Sequence, residues 1–234
     1  LRIINLIKLP MFNDEAIYLD WGWREIHNPG YLFYSLYDAK QPLLMWIFGI
    51  SEQLFNNPLF AGRIISVLIG CLSLLGLFKI AKKLFHEKIA YLSSIIYVIT
   101  PLFSFYDRQA LMESAIASVG IWSCYFLIET LNSSKLKYPV ILGIILGIGF
   151  FTKSSSLIFI LSIFIIIFID YAIEKKNEIL KKIFWIFLSC FIIVLRTNKL
   201  FKLSYHRGIR YFRNAFFFLG LAFIFRYLFL RISN

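Results

Sequence analysis

The chain has 234 residues, of which 59% are hydrophobic and only 16% are charged, and its mean hydropathy is +0.74. This composition excludes an ordinary soluble domain and predicts an integral membrane protein. The formal net charge of +12 is also typical of nucleic-acid binding, but most basic residues flank apolar segments or follow residue 195. Membrane topology therefore explains the charge, and we expect no nucleic-acid partner.

A polar stretch rich in Trp and Tyr precedes the apolar segments. Its pattern predicts a short helix over 14–26 with Asn13 as the N-cap, then an Asn-Pro-Gly turn, then a second short helix over 42–55 with a proline in its first turn. Trp and Tyr favour the headgroup level of a bilayer, where one end of the ring is wet. We expect both helices to lie along the membrane surface.

Seven segments without charged residues follow this stretch. They cover residues 64–78, 89–106, 114–128, 138–152, 154–169, 183–195 and, more weakly, 214–225. Most are slightly shorter than the roughly 20 residues that cross a bilayer, but flanking Lys and Arg side chains can extend them. The sequence predicts an all-α, polytopic transmembrane bundle of about six to seven spans.

Lysines are concentrated in alternate loops. The lysine-bearing loops contain Lys79, Lys82, Lys83 and Lys88, then Lys135 and Lys137, then Lys175, Lys176, Lys181 and Lys182. The positive-inside rule makes these loops cytoplasmic. Residues 1 to about 62, the loop at Asp107 and the turn at Lys153 are then expected together on the extracytoplasmic face of the cell membrane.

The two ends of the chain do not match this pattern. The chain begins with Leu1, and no signal segment or first helix precedes the polar stretch. After residue 195, basic residues crowd a loop that the alternation assigns to the outside. We therefore expect a fragment, in which 1–195 is the front part of one transmembrane domain and 196–234 is a basic, apolar tail of doubtful assignment.

Cysteine and histidine give no sign of a cofactor. Cys71, Cys124 and Cys190 lie within apolar segments, and the three histidines are scattered. Neither a disulfide framework nor a metal-ligand spacing is present. The sequence does not identify any cofactor with certainty, and it leaves a divalent metal possible.

Five short motifs fall on the predicted extracytoplasmic side. They are Asn-Asp-Glu-Ala-x-Tyr at 13–18, Lys-Gln-Pro-Leu at 40–43, Ala-Gly-Arg-x-x-Ser-Val-Leu-x-Gly at 61–70, Tyr-Asp-Arg-Gln-Ala-Leu-Met-Glu at 106–113 and Phe-Thr-Lys at 151–153. In this order they resemble the GT-C glycosyltransferases, in the protein-mannosyltransferase, aminoarabinose-transferase and RgtA/B/C/D-like branch. The resemblance covers roughly residues 10–195. The chain has Lys-Gln-Pro where the family usually has Lys-Pro-Pro, and Glu113 where many relatives have Asp.

The resemblance implies a membrane glycosyltransferase. Such enzymes transfer a sugar, here a hexosyl or pentosyl group, from a polyprenyl-phosphate carrier to a protein, lipid or glycan acceptor on the extracytoplasmic side. A base helps the acceptor hydroxyl to attack, and cations stabilise the departing phosphate. The expected catalytic carboxylates are Asp14, which acts as the base, and Glu15. The cations expected to bind the donor phosphate are Lys40, Arg63, Arg108 and Lys153. Glu113 is expected to be a supporting acid. Some relatives use a metal, and the sequence leaves this open.

Each assignment has a structural alternative. Acids such as Asp14 and Glu15 favour the first turn of any helix. Lys40 and Arg63 fit ordinary interfacial anchors.

Two further charges are harder to assign to one role. Arg108 and Glu113 fit a structural ion pair along one helix. Lys153 lies between two apolar segments, where a charge is costly without a partner.

Two other function classes remain open, a transporter or flippase and a non-catalytic membrane scaffold. A transporter is expected to contain internal repeats with broken helices, and the sequence shows no convincing repeat. Both alternatives predict that replacing Asp14 by Asn leaves function intact, whereas a transferase loses turnover.

Overall fold

The computed structural model describes residues 2–174 and 177–205, with side chains described for 2–173 and 178–196. In these residues all regular structure is helical. The α-helices are α1 (Asn13–His27), α2 (Leu43–Glu52), α3 (Pro58–Leu84), α4 (Glu87–Ile99), α5 (Pro101–Tyr106), α6 (Met112–Asn132), α7 (Lys137–Thr152), α8 (Leu157–Glu174) and α9 (Asn177–Tyr205). This confirms the predicted all-α class.

Three segments in the described part of the chain are long and apolar enough to cross a membrane: Pro58–Leu84, Met112–Asn132 and Ser154–Ile173. Between 22% and 39% of the most apolar stretch of each is buried within the protein. Their remaining apolar surface faces outward, as lipid-facing helices require. The chain is a membrane protein.

The other apolar helices are shorter. Helix α7 has 16 residues, about 24 Å at the rise of an α-helix, compared with a hydrocarbon core of about 30 Å. The predicted segment 183–195 lies inside α9. The weak segment 214–225, and all of the 196–234 tail beyond residue 205, lie outside the described residues.

The sequence suggested one continuous helix over the apolar segment 89–106, but the structure does not contain one there. It is divided into α4 and α5, because Thr100 has an extended backbone (φ −65°, ψ 119°) and Pro101 opens a new helix. Proline has no N–H to continue the helical ladder and disfavours a helical conformation in the residue before it.

The two short helices form as predicted, with one correction at the start of α1. The residue that caps α1 is Phe12, and Asn13 is already helical. The Phe12 N–H donates to Oε2 of Glu15 (3.0 Å). The Glu15 carboxylate therefore satisfies a backbone donor at the helix start, the role that the sequence analysis gave to Asn13.

Helices α1 and α2 cross in close contact. A Cβ atom on Gly22 would lie 2.6 Å from the Met45 carbonyl oxygen, and one on Gly49 would overlap the backbone of Gly22. The buried side chains of this layer come from α1, from α2 and from the residues at and just before the start of α6: Tyr18, Leu19, Leu44, Met45, Phe48, Ala110, Leu111 and Met112. This apolar core holds the short helices against the ends of the long ones.

Candidate active site

Three polar stretches that are distant in sequence meet at one end of the bundle. Glu15 Oε1 accepts a hydrogen bond from the Ala110 N–H (2.7 Å). Arg108 donates from Nη2 to the Ile4 carbonyl (2.8 Å), and Gln41, within the Lys-Gln-Pro-Leu motif, donates to the Ser154 hydroxyl at 3.4 Å. The structure thus confirms that the first stretch, the Asp107 loop and the Lys153 turn converge.

Glu15 and Arg63 form a fully buried ion pair. Arg63 Nη2 lies 2.7 Å from Glu15 Oε2 and Nε lies 2.9 Å from Oε1, and both side chains have 0% exposure. The other Arg63 donors bind the carbonyls of Leu6 (2.7 Å), Leu9 (2.9 Å) and Pro10 (3.1 Å). Every N–H of the guanidinium therefore has an acceptor.

The pair joins four parts of the chain. Burial alone would raise the pKa of Glu15, but the hydrogen bonds from Arg63 and from the Phe12 and Ala110 N–H groups hold it below its ordinary value. The charged groups of this pair have all their hydrogen-bond partners within the protein and are buried on all sides. They can orient their neighbours, but they cannot contact a ligand. The geometry thus favours a positioning role for these two candidate residues.

Lys153 and Glu113 form a second ion pair, with Nζ 2.7 Å from Oε1. Their side chains are 38% and 35% exposed, so this pair faces solvent where the first does not. The partner that the sequence required for Lys153 is therefore Glu113, from the start of α6. The alternative pairing of Glu113 with Arg108 is wrong, because Arg108 binds the carbonyls of Ile4 and Asn5.

A buried cluster around Asp107 was not predicted from the sequence. Its carboxylate lies 2.7 Å from Nε of Arg2 and accepts hydrogen bonds from the Tyr97 hydroxyl (3.0 Å) and the Ser114 hydroxyl (2.8 Å). Arg2 also lies over the Tyr97 ring. These contacts bring α4, α6 and the start of the chain together, and no local motif predicts them.

An acidic centre, defined here as Asp14, Asp38 and Glu113 around Tyr18, occupies the converging end. Burial, followed by the charges of Asp14, Glu113 and Asp38, raises the pKa of Tyr18 to about 12. The Tyr18 hydroxyl thus stays protonated and can donate a hydrogen bond. The signal for Tyr18 was present in the sequence, since it lies four residues after Asp14 and shares its helix face.

Asp14 and Lys40 differ from the other candidates in their freedom. Both side chains are half-buried, and neither forms an ion pair within the described residues. Lys40 follows Ala39, whose backbone is left-handed (φ 56°), and its N–H donates to the Ser35 carbonyl (3.1 Å). Of the candidate residues that the sequence predicted, one carboxylate, Asp14, and one ammonium group, Lys40, therefore have no charged partner among the described residues.

An apolar cavity of about 240 Å³ opens between α2, α3, α6 and α7. Its lining begins close to the polar residues in sequence, with Leu43 soon after Lys40, Ala115 soon after Glu113, and Thr152 next to Lys153. The rest of the lining is mostly apolar and includes Ile69, Leu72, Val119, Trp122 and Ile148. A charged group and an apolar chain can thus be held side by side.

These residues do not provide a ready set of ligands for a resident metal ion. The described part of the chain contains no group of three or more His, Cys, Asp and Glu side chains placed to hold an ion. Glu113, the supporting acid, is already paired with Lys153. The chemistry below is therefore derived from the side chains alone.

The chain is similar in sequence to a known protein family and to individual proteins. The family model for dolichyl-phosphate-mannose-protein mannosyltransferase matches residues 39–201, well over half of the chain. The undecaprenyl phosphate-alpha-4-amino-4-deoxy-L-arabinose arabinosyl transferase of Wigglesworthia glossinidia brevipalpis is 30% identical in an alignment 213 residues long, gaps included, which covers 85% of this chain and 37% of that protein. An uncharacterized protein of Archaeoglobus fulgidus is 48% identical over 48 residues, 20% of this chain and 21% of that one.

The fold is also similar to a solved structure. The crystal structure of ArnT from Cupriavidus metallidurans in the apo state superposes with a TM-score of 0.59 at 17% identity, over 72% of this chain and 32% of that one. The chain spans about a third or less of the length of these relatives. From the family match, the chain belongs to the dolichyl-phosphate-mannose-protein mannosyltransferase family, which confirms the resemblance to GT-C membrane glycosyltransferases.

Proposed function

We propose that the complete protein transfers a glycosyl group from a polyprenyl-phosphate carrier to a hydroxyl acceptor. The observation that carries this proposal is the junction of two environments. Lys40, Glu113 and Lys153 lie within three residues in sequence of Leu43, Ala115 and Thr152, which line an apolar cavity of about 240 Å³. A lipid-linked sugar phosphate has the same division between a charged group and an apolar chain.

In this proposal Asp14 is the general base. Its carboxylate is half-exposed and is not neutralised by an ion pair in the described structure. It takes the proton of the acceptor hydroxyl while the oxygen attacks the anomeric carbon. The bond from that carbon to the phosphate oxygen breaks on the opposite face, so the reaction inverts the anomeric centre. The bonding electrons leave with the phosphate.

The cations stabilise that departing charge. Lys40 offers three N–H donors without a charged partner, and Lys153 is held in place by Glu113 at 2.7 Å. Arg108 is fixed by two carbonyls through Nη2, which leaves other N–H groups for a phosphate. A preorganised cation needs little rearrangement as charge develops, which is why such positions favour the transition state. Arg63 acts behind them through Glu15.

The carrier and the location follow from the same arrangement. The first isoprenoid units occupy the apolar cavity, and the remainder of the chain extends along the outward-facing apolar helices. By the distribution of lysines, the site faces the extracytoplasmic side of the cell membrane. The acceptor is a protein, lipid or glycan hydroxyl, and the transferred group is a hexose or a pentose.

The test uses two aspartates of the same helix. The complete protein is purified in membranes, and sugar transfer is measured for the unmodified enzyme, for Asp14→Asn and for Asp20→Asn. Asp20 is exposed and forms a surface ion pair with Arg24 (2.8 Å), which makes it a matched control. We expect Asp14→Asn to reduce turnover by a factor of at least about 100, as for a lost general base, and Asp20→Asn to retain it.

Two results would count against the proposal. Equal turnover by Asp14→Asn and the unmodified protein would exclude Asp14 as the base. Transport of a substrate without cleavage of any donor would favour a transporter.

A further inference from the structure

We propose that Glu25, a buried carboxyl group outside the active site, positions Lys40 through the loop that joins α1 to α2. This inference rests on the proposed role of Lys40 in donor binding. Glu25 lies in the last turns of α1 and is 1% exposed. It is a positioning residue, since it acts on the substrate only through the loop.

The contact between Glu25 and the loop is direct. Oε1 of Glu25 accepts a hydrogen bond of 2.7 Å from the Ser35 N–H, and Ser35 itself has 0% exposure. A buried backbone N–H requires an acceptor, and Ser35 obtains it from a side chain ten residues earlier. Without Glu25 this donor would be buried and unsatisfied.

Ser35 transmits the constraint to Lys40. The Ser35 carbonyl accepts the Lys40 N–H (3.1 Å), and the Leu36 carbonyl accepts the Ala39 N–H (3.0 Å). These bonds close a turn in which Ala39 has a left-handed backbone (φ 56°), a conformation that costs energy for a residue with a side chain. The turn persists because Ser35, its first residue, is held by the hydrogen bond to Glu25.

A second side chain fixes the other half of the loop. Nε1 of Trp46, in α2, donates to the Leu32 carbonyl at 2.6 Å. The loop is thus held from both short helices, by Trp46 at Leu32 and by Glu25 at Ser35. Only the Glu25 contact lies on the residue whose carbonyl binds Lys40, so the two contacts are separable by mutation.

The protonation state of Glu25 supports this role. Burial raises its pKa to about 8, although the N–H and hydroxyl of Ser35 oppose the shift. None of the charged groups on the elements packed around it shifts this pKa, including Asp38 and Lys40 on the loop, Glu52 on α2 and Arg63 on α3. Near neutral pH the group is a carboxylic acid, and a glutamine amide can reproduce its carbonyl acceptor.

The first test does not depend on activity. Hydrogen exchange of the segment 33–41 and the rate of acetylation of Lys40 are measured by mass spectrometry on the complete protein in membranes. Glu25→Ala is expected to speed exchange in this segment about five- to tenfold, the equivalent of one lost hydrogen bond, and Glu25→Gln to preserve protection. Glu52→Gln is the matched control, since burial also raises the pKa of Glu52, to about 7, but Glu52 makes no bond to the loop.

The second test measures transfer of sugar from the donor. Glu25→Ala is expected to raise KM for the donor about tenfold, with kcat less affected, because a displaced Lys40 weakens phosphate binding. Glu25→Gln is expected to keep the donor KM of the unmodified protein, because its amide oxygen can accept the Ser35 N–H as the carboxyl oxygen does. If Glu25→Ala does not fold, Glu25→Leu, which fills the buried volume but offers no acceptor, takes its place in both tests.

The outcomes separate the two proposals. Unchanged exchange and unchanged Lys40 acetylation in Glu25→Ala would overturn the positioning role whatever the activity. Faster exchange in a protein that consumes no donor would support the positioning of Lys40 and contradict the proposed function. A donor KM that rises as much in Glu25→Gln as in the variant without an acceptor would also overturn the inference.

Discussion

The candidate residues have unequal access to a ligand, although the motifs place all of them at one end of the bundle. Glu15 and Arg63 are saturated with partners and fully buried. Asp14 and Lys40 are half-exposed. Mutations within a single short motif, such as Asp14-Glu15, are therefore expected to have different effects, one on catalysis and the other on folding.

Breaking the buried pair is expected to destabilise the protein strongly. Arg63→Met leaves the Glu15 carboxylate and three backbone carbonyls without their donors, at a cost of about 3–5 kcal/mol. Arg24→Met, which removes only an exposed pair, is expected to cost less than about 1 kcal/mol. Thermal unfolding in detergent measures both. A similar melting temperature for the two variants would show that the Arg63 network is not structural.

Glu25 makes the stability depend on pH in the opposite sense to a paired acid. Its pKa is about 8 in the folded protein, against an ordinary value of 4.5. Between pH 4.5 and about pH 8, Glu25 holds a proton in the folded state that it has lost in the unfolded state. Stability therefore falls by about 1.4 kcal/mol per pH unit as pH rises, and levels off above about 8.

Glu25→Gln removes this dependence. The variant is expected to match the unmodified protein in melting temperature near pH 4.5 and to exceed it at pH 8. Thermal unfolding over this pH range measures the difference. Parallel curves for the two proteins would show that Glu25 is ionised in the fold.

At the scale of the helices, the close crossing of α1 and α2 sets the position of the site. The loop with Lys40 connects these helices, and the acidic centre draws Asp14 and Tyr18 from α1. Any separation of α1 from α2 therefore changes the geometry of the candidate residues.

Gly49→Ala tests this crossing. The new methyl group would overlap the backbone of Gly22, so we expect a lower melting temperature and lower turnover, despite the higher helix propensity of alanine. Gly30→Ala is the control, because a Cβ there meets nothing within 4 Å, and it is expected to change stability by less than about 0.5 kcal/mol. Equal stability of the two variants would mean that the helices can move apart freely.

The sequence predicts elements better than contacts. The apolar segments and the two short helices were found because periodicity and turn residues are local signals. The break at Pro101 was missed because the whole segment is apolar on both sides of it. Contacts such as that of Glu15 with Arg63, 48 residues apart, are tertiary, and a sequence pattern does not specify which charges meet.

At the scale of the whole molecule, the two ends of the bundle differ in charge. The candidate site combines acids and cations at one end. At the other, Lys83 binds Glu129, and Lys182 donates to the Thr130 carbonyl at 2.7 Å. Lys83 and Lys182, two of the lysines that the positive-inside rule uses, are therefore at the end opposite the site.

This polarity predicts which residues are reachable from outside the cell. In a variant with Cys71, Cys124 and Cys190 replaced, Asn28→Cys is expected to react with a membrane-impermeant maleimide on intact cells. Ser134→Cys is expected to react only after permeabilisation. Both positions are exposed in the structure. The reverse labelling pattern would invert the proposed topology.

We propose that the polar end of the bundle, with the apolar cavity near it, is the donor site of a glycosyltransferase. The most direct measurement is the release of free polyprenyl phosphate by the complete protein in vesicles, supplied with a panel of polyprenyl-phosphate sugars and candidate acceptors. We predict that at least one donor is consumed, with matching sugar transfer, and that release stops in Asp14→Asn. A folded protein that consumes none of the donors would contradict the account.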